Sequence, residues 1–394
     1  MTSDSIEATL PAPRTDAPDR DKILVYRDHL VPRSELHFLQ RHYVGFERLE
    51  PIWIGRRRDD GFAELRGESL LLGRPGPLGF LDRERFKQFG TLPVAPDLRA
   101  TGPRLIHAHF GRSGALALPI ARRLNIPLVV SFHGGDATKD KHYRHQFLPT
   151  IFQRRLSALQ NQAALFLCVS AFIRDQLLAR GFPPEKLVVH HLGVDLDPPI
   201  PAGDPPPPGY VMFAGRFVEK KGVAYLIEAI QRLQAEGRTV RLKLVGAGPM
   251  EAELRRAGSG LPQIEFTGWL PNHELLRWMR GALALCVPSV RAANGDAEGL
   301  PTVVLEAMAA GTPVIGSQHA GIGEAVEHER TGLLVPERDP DALAAALRRL
   351  LDEPELRRQF GAAARAAAVE NFDMYRQSRR LETRLLDIIA TAQR

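Results

Sequence analysis

The sequence contains very few cysteines and no long apolar run. Among its 394 residues are only two cysteines, Cys168 and Cys286, which are too few to build a disulfide framework. Both lie within apolar segments, so we expect two buried thiols in a protein from a reducing compartment. Because the chain nowhere has 18 consecutive apolar residues, we expect no helix that spans a membrane.

The N-terminal segment lacks the apolar core that a signal peptide needs. Residues 1–21 are polar, acidic and proline-bearing, which predicts a disordered tail on a cytoplasmic protein. Hydrophobic residues make up 44% of the chain and charged residues 25%. These proportions are those of a globular protein, and they exclude a collagenous, coiled-coil or wholly disordered chain.

Excess positive charge is concentrated in the first half of the chain. Residues 21–200 carry 26 basic and 18 acidic side chains, whereas residues 201–394 carry 24 of each. This asymmetry indicates an acidic partner for the first half. Nucleic acid is disfavoured, because the basic residues are not interleaved with aromatic ones and no nucleic-acid motif is present. We expect anionic lipid headgroups or a lipid diphosphate to face Arg56, Arg57, Arg58, Arg83, Arg85, Arg122 and Arg123.

Short apolar segments alternate with helical patterns, which is typical of α/β architecture with parallel sheets. The Arg- and Gly-rich stretch 55–103 does not fit this alternation and is predicted to be loops and a mobile surface segment. In the first half, strands are predicted at 22–26, 104–109, 127–132, 164–170 and 186–191, and helices near 34–47, 113–124 and 171–180.

A proline-rich break divides the chain into two such patterns. We predict a doubly wound domain at 22–197, a semi-rigid linker at 198–209 and a second doubly wound domain at 210–372. A helix at 373–394 is expected to pack back toward the first domain. In the second half, strands are predicted at 210–215, 240–246, 264–269, 282–288, 312–317 and 332–336.

The strongest chemical motif is a pair of glutamates, Glu298 and Glu306, at the two ends of the segment EGLPTVVLE. Proline suits the first turn of a helix, so the residues after Glu298 are predicted to form a tight turn at a helix N-terminus. The free N–H groups and positive dipole end of that turn suit a phosphate. Carboxylates suit sugar or ribose hydroxyls, and the apolar helix around Glu306 would bury it. The turn consists of Gly299, Leu300, Pro301 and Thr302.

Two cations lie in the segment GRFVEKKG, after the first predicted strand of the second half. Arg216 follows Gly215 at the end of that strand, and Lys221 would return to the same place. Fixed cations beside a helix N-terminus would neutralise a diphosphate leaving group. The neighbouring Lys220 is expected to be an ordinary surface lysine.

The segment VGAGPM follows a predicted strand and opens a helix. Gly246 and Gly248 resemble the start of a dinucleotide-binding fingerprint, but Glu251 stands where the third glycine belongs. We therefore interpret the segment as a tight turn that lines a nucleotide pocket. An NAD-dependent oxidoreductase is the less favoured alternative, because it leaves the cations and the glutamate pair unexplained.

In the first half, the segment SFHGGD ends an apolar strand with His133, Gly134, Gly135 and Asp136. Glycines permit a close approach of the backbone to a ligand. Two doubly wound domains joined by one linker imply a cleft between them, and we expect His133 and Asp136 to face the second domain across it.

Two motifs that suggest a metal are interpreted otherwise. His107 and His109 alternate on a strand, and the sequence does not single out the further ligands that a metal needs. We therefore expect them to pack or to form hydrogen bonds. Asp195 and Asp197 have the D-x-D form that some sugar-transfer enzymes use for a divalent ion, but an interdomain loop is expected there. No metal site is predicted.

Together these motifs resemble those of GT-B glycosyltransferases of glycosyltransferase family 4. The shared segments of the second half are AGRFVEKKG, LVGAGPM, FTGWL, GDAEGLPTVVLEAMAAGTPVI and GLLVP, in that order. In the first half, HAHFG and IPLVVSFHGGD are similar to a branch with exopolysaccharide and colanic-acid-type transferases. The resemblance covers about residues 22–390 and implies two Rossmann-like domains that face each other across a cleft.

The resemblance implies a retaining transfer from a nucleotide-diphosphate sugar, without an obligatory metal or other cofactor. Arg216 and Lys221 would hold the diphosphate, Glu306 the ribose hydroxyls and Glu298 the donor sugar. His133 would contact the sugar from the first domain. Further donor contacts are implied for Gly215, Gly246, Gly248, Trp269, Leu270, Gly299, Leu300, Pro301 and Thr302. On the acceptor or sugar side the implied residues are Gly134, Gly135, Asp136, Ser34 and Glu35.

The sequence departs from the family pattern in two places. DHLVPRSELHF follows the first strand in place of the Gly-Gly loop of many members, and it is closer to the Ser-Glu-Thr-Phe pattern of the exopolysaccharide branch. Gly323 stands where proline is usual, ahead of Glu324. The second departure is expected to alter a loop and not the chemistry.

These expectations describe a hexosyltransferase-type enzyme of the cytoplasm. Its partners would be a nucleotide-sugar donor and a glycan or lipid-linked acceptor of exopolysaccharide or cell-surface glycan synthesis. Peripheral contact with the anionic inner face of the cytoplasmic membrane is a further expectation, and a nucleic-acid partner is not. A non-catalytic nucleotide-sugar-binding protein is the main alternative, which a turnover assay would distinguish.

Overall fold

The structure is a computed structural model that describes residues 20–30, 36–58, 68–74, 76–90, 97–144, 147–198 and 209–394. Ser34 and Glu35, most of the predicted tail and most of the predicted linker lie outside the described residues. Within the described residues the chain forms two large β-sheets, and every strand pair in them is parallel. The predicted α/β fold class with parallel sheets is therefore confirmed.

The first sheet is built by the first half of the chain. In the described part its strand order is β5-β3-β1-β6-β7-β8-β9, so the chain moves outward from β1 and then returns to β6 on the other side. The β1/β6 boundary is therefore the switch point, where open α/β sheets bind ligands beyond the carboxyl ends of their strands. The elements are β1 (Asp21–Tyr26), β2 (His29–Leu30), α1 (Leu36–Gln40), β3 (Leu49–Gly55), β4 (Arg57–Arg58), β5 (Ser69–Leu71), α2 (Gly76–Phe89), β6 (Leu105–His109), α3 (Gly111–Leu124), β7 (Leu128–Phe132), α4 (Gly135–Thr138), α5 (Ile151–Gln162), β8 (Leu165–Cys168), α6 (Ala171–Leu178) and β9 (Leu187–Val189).

The second sheet has the order β12-β11-β10-β13-β14-β15 in the described part, with its switch point between β10 and β13. Its central strands are buried on both faces, which explains why they read as continuous apolar runs. The elements are β10 (Tyr210–Ala214), α7 (Val223–Ala235), β11 (Arg241–Val245), α8 (Glu251–Ala257), β12 (Ile264–Gly268), α9 (Asn272–Gly281), β13 (Ala284–Val287), α10 (Thr302–Ala310), β14 (Val314–Ser317), α11 (Ile322–Ala325), β15 (Gly332–Val335), α12 (Pro340–Asp352), α13 (Pro354–Asn371) and α14 (Met374–Ala392).

The last helix, α14, packs on the first sheet. Its residues Leu381, Leu385 and Ile389 belong to one apolar cluster with Ile23 of β1. The buried carboxylate of Glu382 accepts backbone N–H bonds from residues 47–49 at 2.7 to 3.1 Å. The apolar face and this carboxylate together hold the end of the chain against the first sheet.

The stretch 55–103 contains regular structure where the sequence predicted loops. Strand β5 and the 14-residue helix α2 lie there. The solvent side of α2 carries exposed Leu78, Phe80, Leu81 and Phe89, so its sequence lacks the single apolar stripe of an ordinary surface helix.

Within the residues that it describes, the structure agrees with the predictions for the two cysteines and for membrane-spanning helices. Cys168 and Cys286 are free and buried as predicted, and burial raises the pKa of each thiol to about 12. Among the described residues, no helix combines the length and the apolar character that crossing a bilayer requires.

Candidate functional site

The candidate site lies where loops at the carboxyl edges of the two sheets meet. The Ala297 N–H donates to Thr138 Oγ1 at 3.0 Å, and Lys139 Nζ lies 3.0 Å from an oxygen of Asp296. These contacts join the end of α4, which follows β7, to the loop after β13. The structure thereby brings the SFHGGD segment of the first half and the EGLPTVVLE segment of the second half into one cleft.

Two glycines allow these loops to touch. A Cβ on Gly299 would lie 2.2 Å from the carbonyl oxygen of His133, and a Cβ on Gly134 would lie 3.1 Å from the Gly299 nitrogen. Gly134 also has a φ of +153°, which residues with a side chain rarely adopt. Glycine at both positions therefore places the His133 turn directly against the turn that follows Glu298.

A buried carboxylate and two lysines occupy the β10/β13 switch point. Glu298 Oε1 lies 3.2 Å from Lys221 Nζ and 3.4 Å from Lys220 Nζ. Burial opposes ionisation of Glu298, but the two lysines outweigh it and hold the pKa of the carboxyl below its usual value. Glu298 and the two lysines therefore carry a net charge of +1. Asp296 lies 3.2 Å from Lys220 and adds a further negative charge.

Lys220 is not the surface lysine that the sequence suggested. Burial tends to lower its pKa, but Glu298 and Asp296 raise the pKa above its usual value. The 3₁₀ turn Glu219–Lys221 directs both adjacent lysines toward Glu298, which their spacing in a regular helix would not allow. The difference arises from that turn, for which the sequence carries no clear signal.

Arg216 lies in the same loop and is exposed. Within the described part of the chain its side chain has neither an ion-pair nor a hydrogen-bond partner. The turn with Gly246 and Gly248 packs against this loop, since a Cβ on either glycine would lie 2.0 to 2.4 Å from a carbonyl oxygen of Gly215 or Phe217. These glycines serve backbone packing that positions Arg216.

Glu306 is buried on α10, as its apolar surroundings predicted. No described side chain caps the first turn of α10, which begins at Thr302 after Pro301. The Val304 N–H donates to the Pro301 carbonyl oxygen at 3.0 Å, whereas the two N–H groups before it have no partner in the described structure and are available to an anion. Arg41 reaches Glu306 from the first domain, with its Nη2 2.7 Å from Glu306 Oε1.

A network of histidines lies beneath His133 in the first domain. The Tyr43 hydroxyl lies 2.7 Å from both His107 Nδ1 and His109 Nε2. His107 Nε2 lies 2.7 Å from Ser131 Oγ, and His109 Nδ1 lies 3.1 Å from His133 Nε2. His107 and His109 thus form hydrogen bonds, and His109 holds one edge of the His133 ring.

Burial keeps this histidine network neutral. It lowers the pKa of His42 and of His107 to about 3, and it lowers the pKa of His109 and His133 well below the usual value. His133 Nδ1 is buried and has no hydrogen-bond partner in the described structure. A buried nitrogen of this kind is available to a hydroxyl of a ligand.

Three of these rings also have the geometry of a metal-binding set. The ring nitrogens of His42, His109 and His133 lie within 4.8 Å of one another, and neutral imidazole is the form that binds metals. The sequence singled out His109 and His133 but not His42. The prediction that no metal takes part stays a prediction, which chelation can test.

Asp136 does not face the second domain as expected. Its carboxylate accepts the backbone N–H groups of His133, Gly134 and Gly111 at 2.9 to 3.1 Å. Burial raises the pKa of this carboxyl in spite of these bonds. Asp136 lies in the first turn of α4, and a polar side chain there can reach back to backbone N–H groups that precede the helix, which is the signal that could have predicted this role.

The remaining predicted site residues lie in different surroundings. Trp269 is 60% exposed after β12, and Leu270 packs on the apolar cluster of the second domain. Gly135 approaches Asp296, because a Cβ there would lie 2.7 Å from its carboxylate. The acceptor-side residues Ser34 and Glu35 lie outside the described residues.

Neutral buried histidines make stability dependent on pH. At about pH 6.5 and below, the unfolded chain binds protons that the folded histidines, with pKa values of about 3, do not bind. The free energy of unfolding should therefore fall on acidification through this window, by about 1.4 kcal/mol per pH unit for each histidine.

Urea titrations at several pH values measure this slope. His42→Gln should reduce it, while the exposed His273→Gln serves as the control. A slope unchanged by His42→Gln would contradict the neutral state of this residue.

Two family models match the chain. The model described as Glycosyltransferase Family 4 matches residues 47–198, and the model described as Glycosyl transferases group 1 matches residues 208–353. Together they take in more than half of the chain and include parts of both sheets.

The chain is similar to curated sugar-transfer proteins. It is 35% identical over 248 residues to the putative colanic acid biosynthesis glycosyltransferase WcaL of Escherichia coli K12, which covers 61% of this chain and 59% of that protein. It is 31% identical over 313 residues to the GDP-mannose-dependent alpha-(1-6)-phosphatidylinositol monomannoside mannosyltransferase of Mycolicibacterium smegmatis, which covers 73% and 79%. The chain thus spans about three fifths of the length of WcaL.

A solved structure has the same fold. Anabaena HepE in complex with UDP-glucose matches 93% of this chain and 99% of its own, with a TM-score of 0.73 and 19% identity. The predicted GT-B arrangement of two facing Rossmann-like domains is thereby confirmed.

Proposed function

Because the chain belongs to glycosyltransferase family 4, we propose that it transfers a sugar from a nucleotide-diphosphate sugar to a hydroxyl group, with retention of configuration. One observation carries the proposal. The buried cluster of Glu298, Lys220 and Lys221 lies at the β10/β13 switch point, in the cleft that His133 enters from the first domain.

The leaving group is proposed to bind where positive charge converges. Lys221, the exposed guanidinium of Arg216 and the first turn of α10 would stabilise a nucleoside diphosphate. Lys221 is held by Glu298, so little reorganisation is needed when the diphosphate charge develops. The bond between the anomeric carbon and the phosphate oxygen would break with its electron pair going to that oxygen.

The sugar is proposed to lie between the two domains. Glu298 would stabilise positive charge on the ring, and the unpartnered Nδ1 of His133 would form a hydrogen bond with a sugar hydroxyl. The acceptor oxygen would then bond to the anomeric carbon from the face that the diphosphate leaves. Its proton would pass to a phosphate oxygen, which needs no protein base and suits the neutral histidines.

The ribose is proposed to bind to Glu306. Arg41 already orients this carboxylate at 2.7 Å, and one of its oxygens carries that ion pair. The other oxygen remains available to a ribose diol. Arg41 would thus couple closure of the first domain to nucleotide binding.

The NAD alternative receives no support from the turn that suggested it. Gly246 and Gly248 are explained by contacts with Gly215 and Phe217, as described above. A screen of UDP-, GDP- and ADP-sugars for release of nucleoside diphosphate tests the proposal. We expect release from one donor class in excess EDTA, and loss of donor-induced thermal stabilisation in Glu306→Ala.

Donor binding without release of nucleoside diphosphate from any donor would instead indicate a nucleotide-sugar-binding protein. We also propose a place for this transfer in exopolysaccharide or cell-surface glycan synthesis, as an enzyme of the cytoplasm. The colanic acid role in the name of WcaL supports the pathway class.

The solvent side of α2 is proposed to contact the inner face of the cytoplasmic membrane. Leu78, Phe80, Leu81 and Phe89 are 53 to 74% exposed there, and Arg85 lies among them. Apolar side chains beside cations suit an anionic lipid surface.

The double substitution Leu81→Asp and Phe89→Asp tests this contact. It should lower binding to vesicles of phosphatidylcholine with phosphatidylglycerol at least about tenfold, since each buried side chain contributes roughly 1.5–3 kcal/mol. Both residues are exposed, so folding should be unaffected. Val369→Asp on α13, at an exposed apolar site of the second domain, is the matched control. Equal sedimentation of the double variant and wild type would contradict the contact.

A further inference from the structure

We propose that a basic pocket on the first sheet binds a phosphate or diphosphate group of the acceptor. The inference rests on the proposed function, because only sugar transfer defines an acceptor. The basic pocket is a cavity of about 260 Å³ around Asp28, Arg56, Arg83 and Arg112. Pockets for whole drug-sized ligands measure about 300–1,000 Å³, so this one suits a single group of a larger molecule.

The basic pocket lies at the switch point of the first sheet. Asp28 follows β1, and Arg112 lies in the first turn of α3 after β6. Arg112 Nε and Asp28 Oδ2 are 3.8 Å apart across this boundary. The basic pocket thus lies at the switch point of the first sheet, as Lys220, Lys221 and Glu298 lie at the switch point of the second sheet. Each sheet would bind one of the two substrates.

The lining of the basic pocket is entirely ionisable and carries excess positive charge. Among the described residues of the lining, five cations and one histidine meet two carboxylates. Arg56 is engaged with Asp28, through Nη2 to Oδ2 at 2.7 Å, and with the Arg83 carbonyl at 3.0 Å. Lys87 lies 3.1 Å from Glu84. Both carboxylates are therefore already paired.

Two arginines of the pocket remain without such partners. Arg57 has no side-chain hydrogen bond or ion pair within the described residues, and it lies beside His29 in the β2–β4 pair. Arg83 Nε is buried and has no hydrogen-bond partner there. A buried cationic donor without an acceptor costs free energy. A phosphate would satisfy it, because its oxygens match the planar fork of a guanidinium.

The basic pocket is close to the proposed place of transfer. Phe110 lies two residues before Arg112, and its ring centroid is 4.7 Å from that of His133. The Arg27 guanidinium, next to Asp28 in the chain, lies 4.4 Å from the same Phe110 ring. The Phe110 ring thus contacts the histidine that would bind the sugar, and it lies next to Arg27, the chain neighbour of the pocket residue Asp28. An acceptor held by its phosphate could present a nearby hydroxyl to the cleft.

Helix α2 connects the basic pocket to the proposed membrane face. Arg83, Glu84 and Lys87 line the pocket, while Leu81 and Phe89 of the same helix face solvent. A lipid-linked phosphate could therefore enter the pocket while its chain stays in the bilayer. A soluble phosphate-bearing acceptor offers the same chemistry to the arginines, so the two sources need separate measurements.

Calorimetric titration with inorganic pyrophosphate tests the basic pocket. The full chain with Arg216→Ala and Lys221→Ala is the background, because the proposed donor site would also bind pyrophosphate. This background should still bind, and adding Arg57→Gln and Arg83→Gln should raise Kd at least about tenfold. Arg48→Gln, at an exposed arginine elsewhere on the first domain, is the matched control and should leave Kd unchanged. A background that does not bind, or a quadruple variant that binds equally well, would overturn the inference.

Vesicles of phosphatidylcholine with phosphatidic acid distinguish the two sources. Competition between these vesicles and free pyrophosphate would support a lipid-borne phosphate in the pocket. Pyrophosphate binding that vesicles do not affect would support a soluble acceptor with the same group. The affinity for pyrophosphate does not depend on turnover. If the wild-type protein released no nucleoside diphosphate, this result would contradict the proposed function, and the binding measurement on the pocket would still be valid.

Discussion

Arg216→Ala is expected to lower kcat about 100- to 1,000-fold, the usual effect of removing one preorganised donor that faces developing charge. Its guanidinium is exposed in the loop after β10 and has no ion-pair partner in the described structure, so its charge is available to the diphosphate. The KM for the nucleotide sugar should change less, because the interaction strengthens as the leaving group gains charge. Steady-state kinetics with the preferred donor measure both constants.

Two further variants define the origin of this effect. Arg216→Lys keeps the charge but loses the planar fork, so it should restore only part of kcat. Arg358→Ala on α13 removes an exposed arginine that pairs with Glu355, and it should leave kcat unchanged. Full activity of Arg216→Ala would show that the diphosphate does not bind at this loop.

Glu298→Gln is expected to reduce the free energy of unfolding by about 3 kcal/mol, because removing one partner of a buried ion pair leaves the other charge uncompensated. Lys221 would lose its ion-pair partner, whereas Lys220 would keep Asp296. Urea denaturation measures the loss, and kcat should fall in parallel because the variant also lacks the carboxylate beside the sugar.

A double variant separates stability from chemistry. Adding Lys221→Met to Glu298→Gln removes the uncompensated charge and should restore most of the stability. Activity should stay lost, because the diphosphate then lacks a cation as well. Glu298→Gln with wild-type stability would contradict the ion-pair cluster, and an active double variant would contradict its role in transfer.

Local sequence patterns were sufficient to predict most of the second domain. Gly311 ends α10 in the left-handed conformation, with φ of +71°, and Asp339 caps α12 ahead of Pro340. Such turn and cap signals lie within a few residues of the element that they end or begin. The position of Glu306 on a buried helix followed from its apolar neighbours alone.

Long-range contacts account for what the sequence did not predict in the site. Arg41 and Glu306 are 265 positions apart, and nothing near either residue indicates the other. The same holds for His42, which completes the histidine cluster from a different element than His109 and His133. Arg41 and Glu306 meet because the two domains pack together, whereas the three histidines meet through packing within the first domain. No local periodicity in the sequence indicates either contact.

In the first domain, helix α2 was not predicted because several of its apolar residues face solvent. The predicted loop stretch contains α2, whose Leu81 and Phe89 point outward while Asp82 and Phe86 are buried. Periodicity arguments assume that apolar residues face inward. A helix whose outer side is proposed to contact lipid violates that assumption. Helix α5 was also not predicted, although its capping box of Thr150 and Gln153 can be recognised in the sequence.

We propose that sugar transfer in the cleft between the two sheets proceeds with retention. Proton NMR of a reaction with an α-linked nucleotide sugar and a hydroxyl acceptor tests it most directly. We expect an α-linked product that forms at the rate of nucleoside diphosphate release, with both signals reduced together in Arg216→Ala. A β-linked product, or an α-linked product that forms equally fast in Arg216→Ala, would contradict it.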